Sequence, residues 1–161
     1  MNEPQQLTSS WVVEDVRFDV TALWNITVVR GRFARAGGVY EAGPNGSLIE
    51  LTVDLRSLDT GDPEQDERLL SLAGADLAAH PQARFRSASI RRATDGKLRV
   101  AGTLDAAGSV VPVEFAATAR EEGGRLRLAG KWKVDERWLG GRDLPLAATV
   151  HVEIVFAPEA A

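Results

Sequence analysis

The stretch Ser47-Leu-Ile-Glu-Leu-Thr-Val-Asp-Leu55 sets Ile49, Leu51, Val53 and Leu55 at alternate positions, with Glu50, Thr52 and Asp54 between them. A period of two sends successive side chains to opposite faces of a pleated strand, so this segment reads as a strand with one dry face and one wet face. The same pattern recurs along the chain, punctuated by glycine and never interrupted by a long helical period. Turn signals divide it into eight expected strands: Trp11–Arg17, Ile26–Arg35, Ser47–Leu55, Ala83–Arg91, Lys97–Leu104, Val110–Arg120, Arg125–Asp135 and Leu146–Phe156. The stretch from Phe18 to Asn25 fits either a helical turn or more strand. Thr94-Asp-Gly96 is a hairpin signal, and Ala36-Gly-Gly38 reads as a turn that ends the second strand. The last strands are expected to pair in sequence as a meander.

One segment breaks the alternation. In Asp62-Pro-Glu-Gln-Asp66 an acidic cap precedes a proline at the first helical position, and further acids occupy the first turn. A short helix is therefore expected at about 63–72, lying over one end of the sheet. The fold class that follows is all-β: an eight-stranded antiparallel, lipocalin-like barrel with that one helix. Eight strands enclose an interior wide enough either to be filled by side chains or to hold one small ligand.

Composition narrows the function. At 161 residues the chain makes one ordinary domain, expected over 11–157 behind a disordered tail at 1–10. Its net charge of −4 argues against a nucleic-acid partner, because phosphate repels an acidic surface. Without cysteine it can have neither disulfide nor thiolate chemistry. No run is long and apolar enough for a membrane-spanning helix, and the first ten residues do not read as a signal peptide. The expected location is the cytoplasm, unless a leader was removed ahead of Met1.

Residues for chemistry are scarce. His80 precedes Pro81 and His151 falls on the polar side of the last strand, so both are expected to face solvent. No histidine–carboxylate spacing points to a metal, no Gly-x-Ser-x-Gly elbow points to a serine nucleophile, and the paired glycines open no long helix. An enzyme, a catalytic residue, a metal and a cofactor are all unexpected.

The inward faces are more informative. Gly102, Ala117, Gly130 and Ala148 are small for a solid core and stand among Phe33, Phe85, Phe115, Trp132, Val150 and Val152. Two readings stay open. The small residues fill the narrow end of a tapered barrel, or they leave a tunnel, lined by these ten positions, for an elongated apolar guest.

Motifs in order along the chain resemble one family, the YceI-like proteins, which are lipocalin-like polyisoprenoid-binding barrels. Trp11-x-Val13-Glu14, Val29-Arg-Gly-Arg-Phe33 and Ser57-Leu-Asp-Thr60 are similar to its early strands, and Asp66-Glu-Arg-Leu69 with Ser71 to its helix. Asp76 with His80-Pro81 and Phe85, then Val100-Ala-Gly-Thr-Leu104 with Gly108 and Pro112-Val113, resemble its middle. Val134-Asp135 with Gly140 resembles its late stretch. The resemblance implies binding, storage or transport of a polyisoprenoid, a quinone, a fatty-acid-like lipid or another long-chain amphiphile, with no stable membrane insertion. It also implies a homodimer, since related barrels often pair. Where the family carries histidines this chain has Arg17 and Arg68, and these two, with Trp24, are the candidates for the mouth. The alternative is a ligand-free scaffold barrel with a filled core.

Overall fold

A computed structural model describes residues 9–22, 27–43, 46–72, 79–106, 108–134 and 148–159. Alternation becomes strand throughout: β1 (Ser9–Ala22), β2 (Thr27–Phe33), β3 (Ala36–Gly43), β4 (Gly46–Asp54), β5 (Leu58–Asp59), β6 (Gln82–Arg92), β7 (Leu98–Ala106), β8 (Ser109–Glu122), β9 (Arg125–Val134) and β10 (Ala148–Pro158). All pair antiparallel in the order β10-β9-β8-β7-β6-β4-β3-β1-β2-β5, and β10 returns to pair with β1. β2 and β3 lie along the same edge of β1, against Arg17–Ala22 and Ser9–Val12 respectively, and so form one stave bent at Ala34–Arg35. β5 continues β4 in the same way after a single 3-10 turn at Leu55–Ser57. Ten strands therefore make eight staves, and the barrel is closed. β7 to β10, the last four strands, form the expected meander, and β6 extends it by one.

Helix α1 (Pro63–Leu72) forms where the capped proline places it, with Asp62 accepting from the Glu64 amide at 3.0 Å. Asp66 ties it to the barrel: its carboxylate accepts from both the amide and the hydroxyl of Thr60, the residue after β5.

Two expectations are corrected and one open choice is decided. β1 starts at Ser9, so Ser9 and Ser10 are in the sheet, opposite Ala42 and Glu41, rather than in a tail. β1 also runs on through Phe18 to Ala22. Gly37 and Gly38 do not turn the chain; they lie in β3, opposite Thr52 and Leu51. Gly38 has φ +144°, and a side chain there would collide with the backbone at Glu50. The glycine is needed for close approach of a strand, not for reversal.

Two bulges set which way side chains point. β1 carries one at Glu14, so that Val13 faces Phe156 and Asp15 faces Val155; beyond it Val16 and Phe18 are the inward residues. β6 carries the other between Ser87 and Ser89. There the buried Ser87 hydroxyl accepts from the Ile49 amide at 2.9 Å, supplying the bond that the bulge takes from the ladder.

Candidate functional site

The barrel interior divides into two halves. Towards the end where Gly43 pairs with Gly46 and the chain turns at Gly123–Gly124, it is a solid core. Phe156 and Val100 have no exposed surface, Ala117 and Leu98 are buried with them, and Tyr40 meets Phe156 edge-on with ring centroids 5.9 Å apart. Val16, Ile49 and Leu128 form the floor between the two halves. Above this floor, towards α1, lies a cavity of about 350 Å³ with an almost wholly apolar wall. Leu70 of α1 and Leu58 of β5 border it on the helix side.

The space exists because aromatic rings lie back on the wall. The Phe18 ring lies against Gly31 and the Phe115 ring against Gly130; a Cβ on either glycine would stand 2.7 Å and 3.0 Å from those rings. Phe18 and Phe33 form one wall pair with centroids 5.3 Å apart, and Phe85 and Phe115 another at 5.7 Å. Phe18 and Phe115 thus lie over the glycine of the neighbouring strand, and the space between the two pairs stays open.

Of the ten expected tunnel residues, the structure brings Phe33, Phe85, Phe115, Gly130, Val150 and Val152 to this cavity. Gly102 is not part of it. A Cβ there would collide with the Arg86 carbonyl, so this glycine admits the neighbouring strand at the β6 bulge. Ala117 is only 2% exposed but belongs to the closed half, opposite Leu98. Ala119, two positions further along β8, is exposed. The side chains of Trp132 and Ala148 lie outside the described residues, as do that of Arg68 and all of Trp24.

Arg17 is not at a mouth. The Glu14 bulge leaves Val16 and Phe18 facing in, so Arg17 points outward, where its guanidinium meets Asp15 at 2.7 Å. Phe18, Leu58, Leu70, Ala83 and Ala106 line the cavity and were not foreseen as site residues. Phe18 lies past the bulge, in the stretch that read as helix or strand. Leu70 needs the docking of α1 and Leu58 the pairing of β5 with β2, neither of which a local pattern reports. Ala83 and Ala106 follow the alternation but carry no signal that separates a cavity wall from a core.

The cavity is apolar in character. Its described lining residues offer no acid, base, nucleophile or ligating atom, and no cluster suited to a metal ion occurs among the described residues. Such a wall takes apolar surface out of water.

A sequence profile of the YceI-like domain matches residues 11–157. A UPF0312 protein of Vibrio cholerae is 26% identical over 148 residues, covering 86% of this chain and 78% of the relative. The protein YceI of Salmonella arizonae is 31% identical over 83 residues, 52% of this chain and 43% of that protein. Among solved structures, BcnA of Burkholderia cenocepacia superposes with a TM-score of 0.70 at 19% identity, over 88% of this chain and 94% of that one. A polyisoprenoid-binding domain from Saccharophagus degradans gives a TM-score of 0.60 at 19% identity, over 96% of this chain and all of the other.

Proposed function

This chain belongs to the YceI-like domain family, and from that premise we propose that it binds the tail of a polyisoprenoid or comparable long-chain amphiphile in the cavity beneath α1. The observation that carries the proposal is the cavity itself: about 350 Å³ of space whose described lining is apolar throughout. This volume lies near the lower end of the ~300–1,000 Å³ usual for small-molecule sites. At roughly 30 Å³ per water-sized group, it holds on the order of a dozen heavy atoms, or about two isoprene units. Burying ten carbons at ~0.8 kcal/mol each yields about 8 kcal/mol before association costs of at least ~4 kcal/mol. A longer tail therefore projects past α1, and its length and head group contribute the remaining affinity. A binder rather than an enzyme is the reading that such a wall favours, with storage or carriage of the lipid as its use.

The test is organic extraction of freshly purified protein, with native mass spectrometry before and after. A long-chain amphiphile is expected in the extract. Restored at about 100 times its dissociation constant, it should stabilise the emptied barrel by about 2.7 kcal/mol. An empty extract, with no thermal shift on adding polyprenol, quinone or fatty acid, would favour the ligand-free scaffold instead.

A further inference from the structure

Strand pairing sets two arginines directly opposite each other on the outer face at three places: Arg17 with Arg32, Arg120 with Arg127, and Arg91 with Arg99. Like charges in this register repel, and at the first two places the protein supplies the missing anion. Asp15 reaches both members of the first pair, Arg17 at 2.7 Å and Arg32 at 3.6 Å. In the second, Glu153 reaches Arg127 at 3.0 Å and Glu122 reaches it at 4.0 Å.

The third pair has no such partner. Among the described residues neither Arg91 nor Arg99 forms an ion pair with a carboxylate. Arg92 and Lys97 stand beside them, exposed and likewise unpaired among the described residues. Glu114 borders the same concavity, yet it forms no ion pair with Arg91, Arg92 or Arg99 among the described residues. The arrangement is built by the fold. Ala83, Phe85 and Ser87 face inward before the β6 bulge, and the register shift then turns Ile90 inward and Arg91 outward to meet Arg99. Small residues, Ser89 and Ala101, floor the concavity of about 280 Å³ that results. The whole β6–β7 hairpin holds six cations against two carboxylates, in a chain whose net charge is −4.

We propose that the cleft between Arg91 and Arg99 is a binding site for a phosphate-bearing anion, which supplies the negative charge that Asp15 and the Glu122–Glu153 set supply at the other two pairs. Two guanidinium forks converging from adjacent strands match the several acceptor oxygens of a phosphate group. The anion is either a free phosphate or phosphate ester, or the head group of an anionic lipid. The site lies on the opposite face of the barrel wall from the cavity and does not depend on the tail-binding reading.

The test uses the full chain and two probes. Inorganic phosphate is titrated at constant ionic strength against chloride, followed by the amide resonances of 89–101. In parallel, the protein is sedimented with vesicles of phosphatidylcholine alone and of phosphatidylcholine mixed with phosphatidylglycerol. Phosphate should perturb the hairpin saturably. Arg91→Gln and Arg99→Gln should each weaken it by about tenfold, while Arg120→Gln, which removes the same charge from a compensated pair, leaves it unchanged. Arg99→Lys, which keeps the charge and loses the fork, should fall between. All these positions are exposed, so thermal unfolding of each variant should stay near wild type. Recruitment to the mixed vesicles that phosphate displaces assigns the head group as the source; saturable phosphate binding without recruitment assigns a free phosphate. No saturable effect of either probe, or an equal loss in all the arginine variants, overturns the proposal.

Discussion

The two halves of the barrel are built from the same strands with the same alternation, yet one is solid and the other hollow. In the closed half, Phe156, Val100 and Ala117 are sealed among Tyr40, Leu98 and Leu126. In the half under α1, Phe18 and Phe115 rest on Gly31 and Gly130, and about 350 Å³ stays free between the walls. Neither half is more apolar than the other. What differs is where the rings lie, and a strand glycine decides that by giving a ring somewhere to recline. The cavity is therefore a property of a ring and a glycine brought together on neighbouring strands, not of small residues as such; Gly102 and Ala117 are small and create no space.

The largest test of this contrast is truncation at each end. Phe156→Ala should cost about 3–5 kcal/mol, since a fully enclosed ring leaves a cavity that its neighbours cannot close. Phe33→Ala removes the same atoms from a wall that already faces empty space and should cost no more than about half as much. Urea denaturation of both variants measures the difference. Equal losses would mean that the two halves are equally packed.

A smaller change sharpens the mechanism. In Gly130→Ala the new Cβ meets the Phe115 ring at 3.0 Å, so the ring must swing towards the axis. Stability should move by less than about 1 kcal/mol, because the lost fit is offset by the reduced backbone entropy of the unfolded chain. Uptake of a long-chain fluorescent fatty acid should fall markedly. Uptake at the wild-type level would show that the ring does not hold the cavity open.

The smallest expected effect concerns charge, and here the halves should behave alike. Near the closed end, the Arg125 hydrogen bond holds the Glu14 carboxyl below its ordinary value and raises the Arg125 guanidinium in turn. Near the helix end, Asp54 is lowered by its hydrogen bond to Arg35, with help from the Arg56 amide. A carboxyl lowered on folding stabilises the native state above its unfolded pKa. That contribution is lost as pH falls from the ordinary carboxylate range through the lowered native value. All these groups are exposed, so salt should shrink the effect. Arg125→Gln should flatten part of the acid slope of the melting temperature at low salt and change little at neutral pH in high salt. An acid slope identical to wild type at low salt would remove any role for the pair.

Much of this was legible in advance. Strand alternation located all eight staves, and Asp62-Pro63 located α1, because a pleat and a capped first turn are decided by residues a few positions apart. Phe33, Phe85 and Phe115 could be placed facing inward on the same ground. Arg17 could not be placed, because one extra residue at Glu14 reverses every side chain after it, and nothing in Val13-Glu-Asp-Val16 announces where the ladder skips. Gly37-Gly38 reads locally as a turn because glycine serves reversal and close approach equally well, and only the position of Glu50 tells them apart.

By itself, then, the sequence determined the strands, their wet and dry faces, the helix start and the resemblance to a family, all of which rest on local periodicity or ordered motifs. The tertiary structure alone decided which end is hollow, which arginines face one another and which of them lack an anion. Those depend on register and on the volume left among side chains from several strands, and both are sums over contacts between residues far apart in the chain.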